Sequence, residues 1–221
     1  LWNSQYHPEP DLWKNFIPQE EAYFDGYLRE DGRAGTRNEI WIVPTVGCVN
    51  QTAKILAERA AKKYAGRVDG VQALIHNAGC SQLGDDMLMT QKLLKGLINN
   101  PNAGAVLVVS LGCENNCLEY FKPVLGDVNP ARVKFLVTQD HKDEYEEGMK
   151  LLDELAEYAG SFKRQKVSAG LLQIGVKCGS SDAFSGISAN PLCGRITNHV
   201  VKCGGKAILT EVSENVRRRD K

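Results

Sequence analysis

AVLVVSLGC, residues 105–113, decides the fold. Apolar but for Ser110 up to its Gly-Cys end, with no polar alternation, the run reads as a short strand covered on both faces. Pro101-Asn102-Ala103-Gly104 breaks the chain just before it. Working outward, the same form recurs. IWIVPTV (40–46) stops at Gly47-Cys48, VDGVQALIH (68–76) at Asn77-Ala78-Gly79-Cys80, and AGLLQIGV (169–176) at Lys177-Cys178-Gly179. VKFLVT (133–138) and AILTEV (207–212) read as two further strands. Between them lie segments of helical period: about 51–64 with Ala53, Leu56, Ala60 and Ala61, then 83–99 with Leu83, Met87, Leu93, Leu94 and Leu97. A charged helix is predicted over 143–159 and a last one over about 191–202. Strands alternating with helices require crossover connections, hence a mostly parallel sheet. The predicted class is α/β, an open, layered, mostly parallel sheet with helices on both faces, Rossmann-like.

Outside this series the sequence is irregular. Residues 1–22 carry three prolines and no period, which predicts a linker or docking arm. Residues 26–39 read as a polar, Gly-rich approach to the first buried strand. The 221 residues are taken as one α/β domain over 23–212 with a tail over 213–221. Twenty-seven basic residues balance twenty-seven acidic ones, so the basic excess of a nucleic-acid-binding surface is missing. Arg217-Arg218-Arg219 reads as a solvated end. No apolar stretch reaches the length of a membrane helix. The chain opens on Leu1 rather than Met, which reads as a piece of something longer. Seven cysteines in Gly-rich turns do not form a disulfide framework, and predict free thiols in a reducing compartment, the cytoplasm.

The strand ends carry the chemistry. Carboxyl ends of parallel strands share one edge, and ligands bind in the crevice there. Cys48, Cys80, Cys113 and Cys178 are therefore expected on one side of one domain. Glycine beside each thiol lets the chain turn sharply and approach a ligand closely. Polar groups follow each cysteine: Asn50 and Gln51; Ser81, Gln82, Asp85 and Asp86; Glu114, Asn115 and Asn116; Ser181, Asp182 and Ser185. With His76, these thiols and carboxylates offer ligands for iron or zinc. Asp85 and Asp86 are equally suited to the start of a helix. Cys117, Cys193 and Cys203 lack the strand-end placement and read as packing residues. No C-x-x-C pair, G-x-G-x-x-G or Walker sequence occurs, so a zinc ribbon and a nucleotide site are poorly supported.

Longer strings are more specific. TVGCVN (45–50), GCSQLGDD (79–86), PNAGAVLVVSLGCENN (101–116) and CGSSDAFSGISANPLCGR (178–195), with DGRAGTRNEIWIVPTVGC (31–48), resemble the altronate dehydratase family. Its relatives include galactarate dehydratase and a sulfolactate sulfo-lyase. The resemblance spans about 23–212. It departs where the family's Cys-Gly-Gly-Ser-Asp reads Cys178-Gly179-Ser180-Ser181-Asp182, and again beyond Val212.

The resemblance implies a sugar-acid dehydratase, a hydro-lyase turning D-altronate into 2-keto-3-deoxygluconate, with galactarate dehydratase or sulfo-lyase chemistry as variants. A non-catalytic anion-binding or scaffold domain is the alternative of another kind. The family is iron-dependent or activated by another divalent metal such as Mn2+. Its members are about twice this length, so the chain would be a central domain whose partners are the remaining domains, with a homo-oligomer as a further option. Dehydrating a 2,3-dihydroxy acid needs a base for the proton beside the carboxylate, stabilisation of the enediolate, and an acid for the leaving hydroxyl. Expected metal ligands are drawn from Cys48, His76, Cys80, Cys113 and Cys178; a cluster on three cysteines competes with a single Fe2+. His76 or Asp86 is the expected base, Glu114 or Asp182 the acid. Arg37 is suited to the substrate carboxylate. Asn38, Asn115, Ser181, Ser185 and Asn190 are suited to its hydroxyls.

Overall fold

The computed structural model describes residues 18–177 and 183–210. They form two compact units, Gly26–Gln165 and a second made from the start of the chain together with everything from Lys166 onward. The sequence predicts one domain over 23–212. The division arises because the strand preceding Cys178 does not join the main sheet.

In chain order the elements are β1 (Tyr23–Leu28), β2 (Ala34–Gly35), β3 (Glu39–Pro44), α1 (Asn50–Lys63), β4 (Gly70–Ala73), α2 (Gly84–Ile98), β5 (Ala103–Ser110), α3 (Leu118–Leu125), β6 (Val133–Val137), α4 (Glu144–Gly160), β7 (Gln165–Ser168), β8 (Gln173–Val176), α5 (Ala183–Ile187), α6 (Ala189–Lys202) and β9 (Lys206–Leu209).

The unit 26–165 is built on a four-stranded sheet of order β4-β3-β5-β6, parallel throughout. All eight residues of β5 are buried, as its uninterrupted apolar run predicts. Successive side chains point to opposite faces. Ile40, Ile42, Leu107, Val109 and Leu136 pack with Leu56 and Ala60 of α1 and Leu152 and Leu155 of α4. Val43, Val106, Val108 and Val133 pack with Leu94 and Ile98 of α2 and Phe121 and Leu125 of α3. The predicted architecture of helices on both faces is therefore present. Full burial stabilises each such side chain by about 1.5–3 kcal/mol. Asp143 caps α4 by accepting from the N–H groups of Tyr145 (3.0 Å) and Glu146 (2.9 Å).

Three features differ from the sequence expectation. The polar approach over 26–39 contains a tight antiparallel pairing, Tyr27 with Gly35 and Leu28 with Ala34. The turn between them has Gly32 at φ 78°. Helix α3, with Pro123 inside it, is an element that the sequence expectation does not include. Lastly, β8 pairs in parallel with β9 in a separate two-stranded sheet of the second unit. Among the described residues no helix is long and apolar enough to cross a membrane.

Candidate functional site

Chain order runs from β3 to β4 on one side of the sheet and then returns to β5 on the other. The connection reverses between β3 and β5, and the crevice outside their carboxyl ends is where such a sheet binds ligands. Cys48 follows β3, Cys80 follows β4 and Cys113 follows β5, so three of the four predicted thiols share this rim. All three are exposed and free. In sequence Cys178 follows β8, a strand of the second unit's separate sheet. Together with Ser181 and Asp182 it lies outside the described residues.

Backbone contacts bind the three turns together. The Gly47 N–H donates to the Ala78 carbonyl (2.8 Å), and the Asn115 N–H to the Cys80 carbonyl (2.9 Å). A Cβ at position 47 would stand 3.2 Å from the carbonyl oxygens of His76 and Ala78, so a side chain there would push these turns apart by a few tenths of an ångström. Gly112 adopts φ +121°, with Gln139 Oε1 3.0 Å from where a Cβ would lie. At Gly79, by contrast, a Cβ would meet open space. The close-approach reason for glycine thus holds beside Cys48 and Cys113 and not beside Cys80.

Glu114 is buried and spans the switch point. Its Oε1 accepts from the hydroxyls of Thr45 (2.6 Å) and Ser110 (2.6 Å) and from the Leu111 N–H (3.1 Å). Its Oε2 accepts from the Gly112 N–H (2.7 Å). Burial alone would raise the carboxyl pKa, but the Ser110 and Thr45 hydroxyls and the backbone N–H groups together hold it below the ordinary value. Glu114 is a fixed anion fastening β3 to β5. A general acid must carry a proton to give, so this geometry opposes the acid role predicted for it. Beside it, buried Asn116 donates to the Thr45 carbonyl (3.0 Å) and accepts from Gln91 (3.0 Å).

His76 is equally committed. Its Nδ1 accepts the Ala78 N–H (3.1 Å), and its Nε2 lies 2.8 Å from the Pro44 carbonyl oxygen. A backbone N–H can only donate and a carbonyl only accept, so these two contacts match the tautomer with its proton on Nε2. No nitrogen remains for a metal or for a substrate proton, contrary to both roles predicted for His76. Asp86, in the first turn of α2, is exposed and accepts from Gln82 (2.7 Å). Asn115 is exposed and donates to the Gln82 carbonyl (3.1 Å). Gln139, from the turn after β6, donates to Cys113 Sγ (3.5 Å).

The two predicted substrate contacts in GTRN lie elsewhere. Arg37 and Asn38 precede β3, at the edge of the sheet opposite the cysteines. Arg37 is exposed and pairs with Glu39 (3.1 Å). Asn38 is buried: its Oδ1 accepts from Arg29 Nη1 (2.8 Å), its Nδ2 donates to the Ala159 carbonyl (2.8 Å), and its N–H donates to Asp69 (2.9 Å). These are structural positions, six strand residues away from the rim. Arg37→Ala is expected to change stability by less than about 0.5 kcal/mol and to leave KM for any sugar acid unchanged. Urea unfolding and steady-state kinetics check both. Ser185 of α5 and Asn190 of α6 belong to the second unit, where Ser185 is half-buried and Asn190 exposed. Cys203 is buried as predicted, Cys117 is half-buried, and Cys193 is exposed.

Ligands of one ion must converge. Two thiolates each about 2.3 Å from a metal stand at most about 4.6 Å apart. Among the described residues the trio of His, Cys, Asp and Glu whose ligand atoms all lie within 4.8 Å is Glu20, His199 and Cys203, in the second unit. The residues of the rim form no such group and do not fit a single Fe2+ or Mn2+ ion as arranged. Sequence reading missed that trio because Glu20 and His199 are 179 residues apart. It is an ion-pair cluster: Glu20 accepts from Lys202 (3.2 Å) and His199 (2.8 Å), which hold its carboxyl below the ordinary range.

The family model described as "D-galactarate dehydratase/Altronate hydrolase, second domain" matches residues 26–160. The chain belongs to this family. A second model, "D-galactarate/Altronate dehydratase, C-terminal", matches 169–218. The two matches meet where the two compact units divide, and the second enters 213–221, which the sequence reading leaves unmatched. The chain is 48% identical to the altronate dehydratase of Bacillus subtilis (strain 168) over 95% of its own length and 42% of that protein. It is 43% identical to the altronate dehydratase of Escherichia coli (strain K12), over 95% of this chain and 43% of that one. Similarity to the galactarate dehydratase (L-threo-forming) of the same strain is 31%, over 94% and 41%. The chain therefore spans about two fifths of the length of these relatives.

Proposed function

We propose that this chain is part of a cytoplasmic sugar-acid dehydratase acting on D-altronate. The observation that carries the reading is identity of 43–48% with two altronate dehydratases along 95% of the chain, against 31% with the galactarate enzyme. The rim outside β3, β4 and β5 is the proposed place of reaction. It combines exposed thiols and exposed polar side chains at the switch point of the sheet, the place where such sheets bind ligands.

Elimination across C2 and C3 of a 2,3-dihydroxy acid removes the C2 proton and expels the C3 hydroxyl as water. The enol left behind becomes a 2-keto-3-deoxy acid without further help. Asp86 is the proposed base: it is a carboxylate at the rim, exposed, and oriented by Gln82. Asn115 and Ser81 are the proposed contacts to substrate hydroxyls. Of the two acids expected from the sequence, Asp182 is kept and Glu114 is not, because Glu114 is held as an anion. Iron is the proposed metal. Since the rim does not fit a single ion, no proton transfer is assigned to one.

The reading is tested by joining the chain to the portions of the Bacillus subtilis protein that it does not match, and assaying 2-keto acid formation anaerobically with iron. Turnover of D-altronate in preference to galactarate is the expected result, and no turnover of any aldonate or aldarate rejects it. In that protein Asp86→Asn keeps the contact with Gln82 but cannot take a proton. It is expected to lower kcat about 100-fold with little change in KM, measured by steady-state kinetics.

A further inference from the structure

His199 and Cys203 stand four residues apart at the end of α6, and the Cys203 N–H still donates to the His199 carbonyl (3.1 Å). That spacing puts both side chains on one helix face, a turn apart. The segment before β1 lies against the same turn. The Gln19 and Glu20 N–H groups both donate to the Lys202 carbonyl (2.8 and 3.3 Å), and Pro18 stands 3.1 Å from where a Cβ of Gly204 would lie. The Glu20 carboxylate is thereby carried to His199 and Cys203, and the three ligand atoms all lie within 4.8 Å of one another. Glu20 Oε2 is 2.8 Å from His199 Nδ1, and its Oε1 accepts from Lys202 Nζ (3.2 Å). Cys203 is 5% exposed, and its thiol has no hydrogen-bond partner among the described residues.

Thiolate, imidazole and carboxylate together are ligands of zinc. Calcium and magnesium take oxygen alone, and copper(I) prefers sulfur. Around a tetrahedral zinc, neighbouring ligand atoms stand about 3.3–3.8 Å apart. The trio reaches that spacing if carboxylate and imidazole part by about half an ångström and the thiol draws in by about an ångström or less. The His199 and Glu20 side chains are 58% and 39% exposed, which leaves both free to adjust. The carbonyl end of a helix favours a cation. Lys202, on the outer carboxylate oxygen, is the kind of partner that orients a ligating carboxylate.

We propose that Glu20, His199 and Cys203 bind one zinc ion, with water as the fourth ligand, and that the ion clips residues 18–20 to the end of α6. The site lies in the second unit, shares no residue with the strand-end rim and does not rest on the dehydratase reading. Binding releases the thiol proton to solvent. The site prefers zinc to ferrous iron, as the order of divalent-metal affinities requires.

The test uses the whole chain carrying C48S/C80S/C113S, so that zinc on the rim thiols is not counted. Dialysis against micromolar Zn2+ is expected to leave about one ion per chain, not displaced by equal Fe2+. Adding E20Q, H199Q or C203S is expected to weaken binding at least about 100-fold. Positions 20 and 199 are exposed enough that E20Q and H199Q keep the fold, checked by far-ultraviolet dichroism, so the result does not hang on C203S. Co2+ in place of zinc is expected to give the visible bands of a tetrahedral ion and a thiolate charge-transfer band that C203S abolishes. Zinc is expected to slow hydrogen exchange at the Gln19 and Glu20 amides about tenfold or more. Less than about a tenth of an ion per chain, an ion retained at full affinity by H199Q or C203S, or cobalt without the thiolate band overturns the site. Unchanged exchange at Gln19 and Glu20 in the zinc-loaded chain overturns the clip. None of these measurements uses turnover, so the zinc site and the dehydratase reading fail separately.

Discussion

Replacing Glu114 with alanine is expected to destabilise the unit 26–165 by about 3–5 kcal/mol, measured by urea unfolding. The side chain is buried and takes four hydrogen bonds, from Thr45, Ser110, Leu111 and Gly112. Alanine leaves two hydroxyls and two N–H groups without an acceptor in a site that water does not reach freely. Glu114→Gln keeps the shape but turns an amide NH2 toward donors, so a loss of about 2 kcal/mol or more is expected. The pH dependence follows from the same contacts. The folded-state pKa lies below the ordinary value of 4.5. The carboxylate's contribution is therefore fully present above about pH 4.5 and is lost as pH falls through the lower folded value. The gap in stability between the native chain and Glu114→Gln should narrow over that acid window and stay constant above it. A gap that widened on acidification would contradict the anionic clamp.

Asn38→Ala is expected to cost about 3 kcal/mol while leaving the rim chemically intact. Asn38 accepts from the buried Arg29 guanidinium and donates to the Ala159 carbonyl. Arg29 is already disfavoured as a cation: burial, and then the nearby Arg132, lower its pKa to about 10. Removing one of its few acceptors leaves a buried charged donor unmatched, the costlier kind of loss. Gly104→Ala attacks the same network from the other side, since its Cβ would collide with the Asn38 amide oxygen. It should destabilise to a comparable degree. A substrate-binding Asn38 would behave differently, raising KM in a protein of normal stability. Thermal unfolding together with KM in the joined protein separates these outcomes.

These two residues also show what could be read from the sequence and what could not. Glu114 and Asn38 both sit in strings that point to the family, and both read as polar groups free for chemistry. Sequence shows a side chain's type but not its partners. The partners here come from 69 residues away for Glu114 (Thr45) and 121 for Asn38 (Ala159). Arg37 failed as a substrate contact for a simpler reason. It lies at the amino end of β3 while Cys48 lies beyond the carboxyl end, and a strand of six residues is about 20 Å long. The repeated Gly-Cys pattern was a sound guide for Cys48, Cys80 and Cys113. Cys178 lies outside the described residues; the strand before it pairs with β9 in the second unit, and nothing in AGLLQIGV distinguishes a strand of one sheet from a strand of another.

By itself the sequence determined the α/β class, the alternation of strands and helices, and the thiols at three strand ends. Those follow from local periodicity and from the rule that parallel strands end on a common edge. Only the tertiary structure decided that the chain divides into two units, that His76 and Glu114 are held by the protein rather than offered to a ligand, and that the three sulfurs do not close on one ion. Each of those depends on hydrogen bonds and strand pairings between residues far apart in the chain, for which neighbouring sequence carries no physical signal.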